Sequence, residues 1–313
     1  MIKIKRMLAF GVVAALGFTA CGSDDDTTDT TEAPGGTSAP DASSPAPTDG
    51  DITVGLTFDL LGRGDQSFND SAAAGIDRAK AEFGVTVNEV TPTDASARGT
   101  DLQLQAENAD LVIGVGFSFA ADAATVAVEN PDVKFAIVDD SMLNFDTDPP
   151  TPIAENVAGL VFSEEQGSYL VGVAAGLKTT TNKVGFIGGV SGIGLIEKFQ
   201  AGFEAGAKSV NPDIQVTTYY VSPAPDGKAF NDPAQGKSDA NQLLAFFPDI
   251  DVFFQVAGKT GNGVLEAACE AGIHGIGVDV DQFLSTPEFQ SCIVVSAEKK
   301  LKNIIQGSSG SYG

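Results

Sequence analysis

From residue 51 onward, short apolar runs alternate with longer segments in which small, apolar and charged residues recur at helical spacing. Residues 52–58 predict a strand, 61–65 a Gly-containing turn, and 71–83 a helix with Ala74, Ala79 and Phe83 among its small or apolar positions and charge at Asp77, Arg78 and Lys80. A strand at 110–116, a helix at 121–129 stopped by Asn130 and Pro131, and a strand at 135–138 follow. The pattern then repeats: helix 164–177, strand 183–188, helix 195–210 stopped by Asn211 and Pro212, strand 215–221, helix 239–247, strand 252–256, helix 263–271 and strand 275–278. Strands that read as continuous apolar runs are buried on both faces, which implies parallel sheets covered by helices. Two such sets predict an α/β fold of two doubly wound parallel-sheet lobes facing one cleft. The expected partition is 51–158 for the first lobe, with about 288–313 returning to it, and 159–287 for the second.

The residues ahead of this body follow a different pattern. Lys3, Lys5 and Arg6 precede an uncharged apolar run at 7–18, the size of a signal h-region and short for a membrane span. Thr19 and Ala20 then lead into Cys21, an arrangement that resembles a bacterial lipobox, with Phe18 where Leu is common. The expectation is a lipoprotein signal peptide at 1–20 and a lipidated Cys21, palmitate included. Residues 22–50 hold Ser, Thr, Pro, Gly, Ala and acids but no Lys, Arg or aromatic residue. Such a segment buries too little apolar surface to offset its ordering entropy, so 21–50 is expected to be a disordered acidic tether. The run Asp24 to Asp26 reads as solvated charge rather than a metal site. This layout places the body at the outer face of the cell membrane.

Charge narrows the functions. The chain has 42 acidic against 18 basic residues, a formal net charge of −24. Nucleic acid is excluded as a partner, because phosphate needs clustered Lys and Arg, and so is electrostatic attachment to anionic lipid. With His274 the sole histidine, His-based metal or triad chemistry has too few groups. Outside the membrane, Cys269 and Cys292 either pair as a disulfide or stay as two separately buried thiols.

Ligands in such sheets bind beyond the C-terminal ends of strands. Polar residues gather there: Asp59 and the run Asp65 to Asp70 after the first strand, Asp139 to Ser141 after 135–138, Ala257 to Gly263 after 252–256, and Asp279 to Gln282 after 275–278. Four strand ends from distant parts of the chain thus predict one polar-ligand cleft. The stretch GFIGGVSGIG at 185–194 follows a strand and precedes a helix, as a dinucleotide fingerprint does. The same spacing arises wherever a helix packs closely on a strand, and export removes the protein from cytosolic nucleotides, so no cofactor is expected.

The strand-end segments carry a family resemblance. DQSFN (65–69), GVGF (114–117), FAIVD (135–139), EEQGS (164–168), KVGFIGG (183–189), FQVAGKTGNG (254–263) and IGVDVDQ (276–282) run in order over nearly the whole body. The chain resembles the basic membrane protein family of bacterial lipoproteins, solute-binding components of ABC importers. The resemblance implies a type I periplasmic-binding-protein-like fold closing on a nucleoside, with a purine base favoured, and an ABC permease and ATPase as partners. It implies Phe68 and Phe254 as aromatic plates about the base, Asn69 and Asp139 on base edges, and Asp59 as a further base contact. Asp279 or Asp281 and Lys299 would hold the ribose, and Gly258 would allow close backbone approach. Extra residues around Pro223 to Phe230 would lengthen a loop, and the chain ends at Gly313 where family members usually continue, which puts Lys299 near the end.

A binding protein needs no nucleophile, metal or catalytic residue, and none is expected here. The alternatives are capture of a sugar or another small polar ligand for transport, or sensing of one by a surface receptor. A nucleoside hydrolase is disfavoured, since no arrangement for a metal or an activated water is evident. The nucleoside reading requires the rings of Phe68 and Phe254 to face one hollow that also holds Asp139 and Asp281.

Overall fold

The computed structural model describes residues 52–311 except 225 and 226. The expected signal peptide, the tether and Cys21 lie outside the described residues. The first sheet contains β1 (Thr53–Thr57), β2 (Thr86–Val90), β3 (Leu111–Gly114) and β4 (Lys134–Val138). After a small antiparallel ribbon of β5 (Leu143–Asn144) and β6 (Thr151–Pro152), β7 (Val157–Leu160) completes it. The second contains β8 (Lys183–Val190), β9 (Gln215–Ser222), β10 (Val252–Val256), β11 (His274–Asp279) and β12 (Ile293–Glu298). The orders are β2-β1-β3-β4-β7 and β9-β8-β10-β11-β12, parallel throughout. Counted within each sheet, both read 2-1-3-4-5. The second half therefore repeats the first, and the two-lobed α/β architecture stands.

Helices cover both faces. The first lobe carries α1 (Phe68–Phe83), α2 (Arg98–Ala106) and α3 (Ala120–Glu129), and the second opens with α4 (Glu164–Lys178) and α5 (Gly194–Val210). Then come α6 (Gly227–Asn231), α7 (Pro233–Phe246), α8 (Thr260–Glu270), α9 (Gln282–Ser285) and finally α10 (Leu301–Ser311). Strand β4 shows why these strands read as unbroken apolar runs. Phe135 and Ile137 pack with α2 and α3 residues such as Leu102 and Ala123. Ala136 and Val138 point the other way, into a core with Ala72 and Ile76 of α1 and Leu301 and Ile305 of α10. Period-2 alternation is present, but each face meets an apolar layer.

The chain crosses between lobes at 161–163 and again at 299–300. The second crossing is later than the expected return at about 288. Strand β12 pairs with β11 in the second sheet, and only α10 goes back to pack on α1. Cys269, near the end of α8, and Cys292, just before β12, are disulfide-bonded with their Cα atoms 5.1 Å apart, which resolves the choice between a bridge and two thiols. Among the described residues, no helix is long and apolar enough to cross a membrane.

Candidate functional site

Helix α1 starts from a loop that its own side chains hold rigid. Asp65, 2% exposed, accepts hydrogen bonds from the backbone N–H groups of Ser67, Asn69 and Asp70 and from Asn69 Nδ2. This carboxylate meets the unpaired donors at the helix start. Asn69 Oδ1 in turn accepts from the Asp59 N–H at 3.2 Å. Asn69 is thus largely committed to bracing the loop against the end of β1, and the brace presents Phe68 at the first helical position.

An aspartate in the left-handed region stands at the end of the fourth strand of each sheet, Asp139 just after β4 at φ 70° and Asp279 as the last residue of β11 at φ 66°. Side chains rarely adopt this conformation, and strain of this kind concentrates at ligand sites. Between the two lies Lys299, the residue after β12, with its side chain 5% exposed. Its Nζ donates to both carboxylate oxygens of Asp139 at 2.7 Å, and Glu164 Oε1 is 3.4 Å away. The ammonium also lies 5.5 Å from the ring centres of Phe68 and Phe199 and 5.2 Å from that of Phe162, within cation–π range. Burial alone would lower the Lys299 pKa, but the carboxylates of Asp139, Asp279 and Glu164 raise it above the ordinary lysine value. Burial pushes the Asp279 carboxyl up to about 6, against the opposing pull of Lys299 and of the Ser67 hydroxyl, which donates to it at 2.7 Å from the other lobe.

Phe68, Phe199, Asp139, Asp279 and Lys299 line a hollow with about 860 Å³ of empty space, open solvent at its mouth included. Of the residues expected from the sequence, Asp59, Phe68, Asn69, Asp139, Gly258, Asp279 and Lys299 line it. Phe254 and Asp281 do not. Phe254 is the middle residue of β10 and fully buried, 5.1 Å from Phe203 and 5.7 Å from Phe186 between ring centres. It points toward the hollow's side of the sheet but lies one layer down, and Val256, two residues on, reaches the cavity. Asp281 was expected on the same side as Asp279, as in an extended chain. The chain turns instead at Asp279, and Asp281 caps α9 by accepting from the Phe283 N–H, beside a separate shallow surface hollow. The jaw of Phe68, Phe254, Asp139 and Asp281 is therefore not formed, and the nucleoside reading in the form expected from the sequence, which required all four in one hollow, fails; a nucleoside site here has to rest on other groups.

Other groups supply what those two do not. Phe117, following β3, and Phe230, on α6, line the hollow from opposite lobes and meet edge to face, 6.3 Å between ring centres. The segment at 223–230 thus does more than lengthen a loop, because it ends on a ring in the site. Gly189 makes room for that ring, since a Cβ there would fall 2.4 Å from Phe230 Cε1. Gly185 and Gly188 make room in the same way for Phe253 and Tyr220, whereas a Cβ at Gly192 or Gly194 would meet nothing. Phe199 and Arg98 also line the hollow. Sequence reasoning missed Phe117, Phe199, Phe230 and Arg98. A search extended to the first two turns of the helices would have found Phe199 and Arg98.

Comparison with known proteins agrees with this geometry. Residues 52–309 match the family model described as ABC transporter substrate-binding protein PnrA-like. The chain is 35% identical to basic membrane protein A of Borreliella burgdorferi over 242 residues, covering 76% of this chain and 65% of that protein. It is 36% identical over 302 residues to the CD4+ T-cell-stimulating antigen of Listeria innocua, covering 90% and 73%. Less than two thirds of the Borreliella protein's length is therefore spanned. Among solved structures, an ABC transporter solute-binding protein from Aeropyrum pernix superposes with a TM-score of 0.72 at 28% identity, covering 84% of this chain and 70% of the other.

Proposed function

Because the chain belongs to the Bmp family of PnrA-like ABC transporter substrate-binding proteins, we propose that it captures a nucleoside with a purine base outside the membrane and hands it to the permease and ATPase of an importer. The observation that carries this reading is one hollow combining phenyl faces with a buried carboxylate cluster. Phe68, Phe117 and Phe230 are only half-buried, so each keeps part of a face for a flat base. Stacking of this kind contributes about 1–3 kcal/mol per base. Asp139, Asp279 and Glu164 surround a single Lys299, an excess of acceptors that suits ribose hydroxyls, and hydrogen bonds to charged groups contribute about 1.5–3 kcal/mol. A hexose would satisfy the carboxylates but cover less of the phenyl faces than a flat bicyclic base.

In this reading Asp139, which the resemblance put on a base edge, holds the sugar instead, because it is bonded to Lys299; Asp279 and Lys299 share that role, Asp59 lies toward the base, and Gly258 lets the backbone approach. Closing the lobes on the ligand excludes water and shifts an open–closed equilibrium. Cys21 carries the lipid that keeps the protein at the outer face of the cell membrane, with more than one acyl chain needed for firm attachment. Cys21→Ser should therefore release the protein into the medium; its retention on cells would refute the anchor.

Calorimetry with inosine, guanosine, adenosine and a panel of hexoses tests the ligand. Purine nucleosides should bind, and Phe68→Ala should weaken them by about 1–3 kcal/mol. Hexose binding with no response to any nucleoside overturns the proposal.

A further inference from the structure

The hollow has a second charged feature that the sugar-holding cluster does not use. Arg98 opens α2 and is 7% exposed. Its guanidinium lies against the Phe119 ring, 5.7 Å from the centre, and Nη2 donates to Asp59 Oδ1 at 2.9 Å. A guanidinium carries five N–H donors and no acceptor, so this single bond leaves most of them uncommitted. The Nε–H is buried without a hydrogen-bond partner, a state that costs free energy unless something supplies an acceptor. Arg98 and Asp59 both line the hollow, so a bound ligand is placed to accept from the guanidinium's uncommitted N–H groups.

The position of the pair indicates which part of a ligand it meets. Asp59 follows β1 and Asp139 ends β4, two strands away in the order β1-β3-β4. Neighbouring strands lie about 4.8 Å apart, so these ends are separated by roughly 10 Å, a span comparable to a base joined to its pentose. With ribose at the Lys299 end, the far edge of the base lies at Arg98. A donor-only fork with several free N–H groups matches an edge that presents two neighbouring acceptors. Among purines that is the O6 and N7 edge of a 6-oxopurine, whereas adenine places an amino donor beside N7.

We propose that Arg98, held in place by Asp59, reads a ring carbonyl of the base and makes this protein selective for nucleosides of 6-oxopurines over adenosine. The assignment rests on the nucleoside reading above and adds to it a residue and a chemical preference. The competing role for Arg98 is a brace tying α2 to the end of β1, which would affect every ligand alike.

The test is calorimetric titration of the full chain with inosine, guanosine, adenosine and purine riboside, the last lacking any group at the 6-position, on the unaltered protein and on Arg98→Gln and Arg98→Lys. Inosine should bind the unaltered protein at least about tenfold tighter than purine riboside, as expected for a satisfied bidentate contact. Arg98→Gln should bring that ratio to within about threefold, and Arg98→Lys should leave it in between. Equal loss for both ligands, with the ratio kept, makes Arg98 a brace and overturns the assignment. Should the variants fail to fold, the unaltered protein still decides: affinities for inosine and purine riboside within about threefold, or a preference for adenosine, overturn it. Hexose binding with no nucleoside binding overturns both this assignment and the nucleoside reading, while nucleoside binding indifferent to the carbonyl overturns the Arg98 assignment alone.

Discussion

The ends of β4 and β11 are the same device built twice and charged differently. Each brings a left-handed aspartate to the end of its sheet's fourth strand, Asp139 or Asp279, and a second aspartate shortly after caps the next turn. Asp140 accepts from the Met142 N–H at 2.8 Å, and Asp281 from the Phe283 N–H at 3.1 Å. The difference lies in the partners. Asp139 holds Lys299 through both oxygens, whereas Asp279 receives one hydroxyl bond from Ser67; burial pushes both carboxyls up, that of Asp279 to about 6. One carboxylate is thus neutralised within the protein, and its counterpart is left poorly compensated until a ligand donates to it. The lesson is that a duplicated backbone does not dictate duplicated chemistry, because a single lysine placed off-centre assigns the two copies different tasks.

The strongest way to break this contrast is to remove the lysine. Lys299→Ala should cost about 3–5 kcal/mol in a denaturant titration, since it leaves buried carboxylates without their cation. A loss under about 1 kcal/mol would mean that Asp139 was never paired tightly. The contrast in pH response comes next. An acid whose folded pKa lies above its unfolded value gives most stability when protonated. Raising pH from about 4 to about 6 should therefore remove roughly 2–3 kcal/mol through Asp279, at about 1.4 kcal/mol per pKa unit. Asp279→Asn should flatten that part of the unliganded stability curve. Ligand affinity should move oppositely, rising through about pH 6 as the carboxylate ionises and accepts hydroxyl bonds; a pH-independent affinity would count against ribose at Asp279. The smallest effect sharpens the comparison. Ser67→Ala should cost about 1 kcal/mol and move the Asp279 titration still higher, with no change at Asp139, as followed by carboxyl NMR shifts.

The buried strands were legible because apolar runs such as Phe135 to Val138 have helices on both faces. The edges were not. β2 reads Thr-Val-Asn-Glu-Val, is largely exposed and pairs on one side only, so it carries little hydrophobic signal. β12 is likewise an edge strand, and overlooking it displaced the expected return to the first lobe. At the site, rules about strand ends pointed to Asp59, Asp139 and Asp279, which line the hollow, whereas Lys299 and Phe254 entered only through the family resemblance. The rules failed where the chain stopped being extended, as at Asp281, and the resemblance where depth within a strand mattered, as at Phe254. Aromatic residues on helices and irregular segments, such as Phe230 and Phe117, follow no spacing that points to a shared hollow, since only tertiary packing brings them together.

Lys299 belongs to the short segment that joins the lobes at 299–300. Its amine bonds to Asp139 of the first lobe, while its backbone N–H donates to the Asp279 carbonyl of the second. One residue at the crossing thus stitches the two left-handed aspartates to each other.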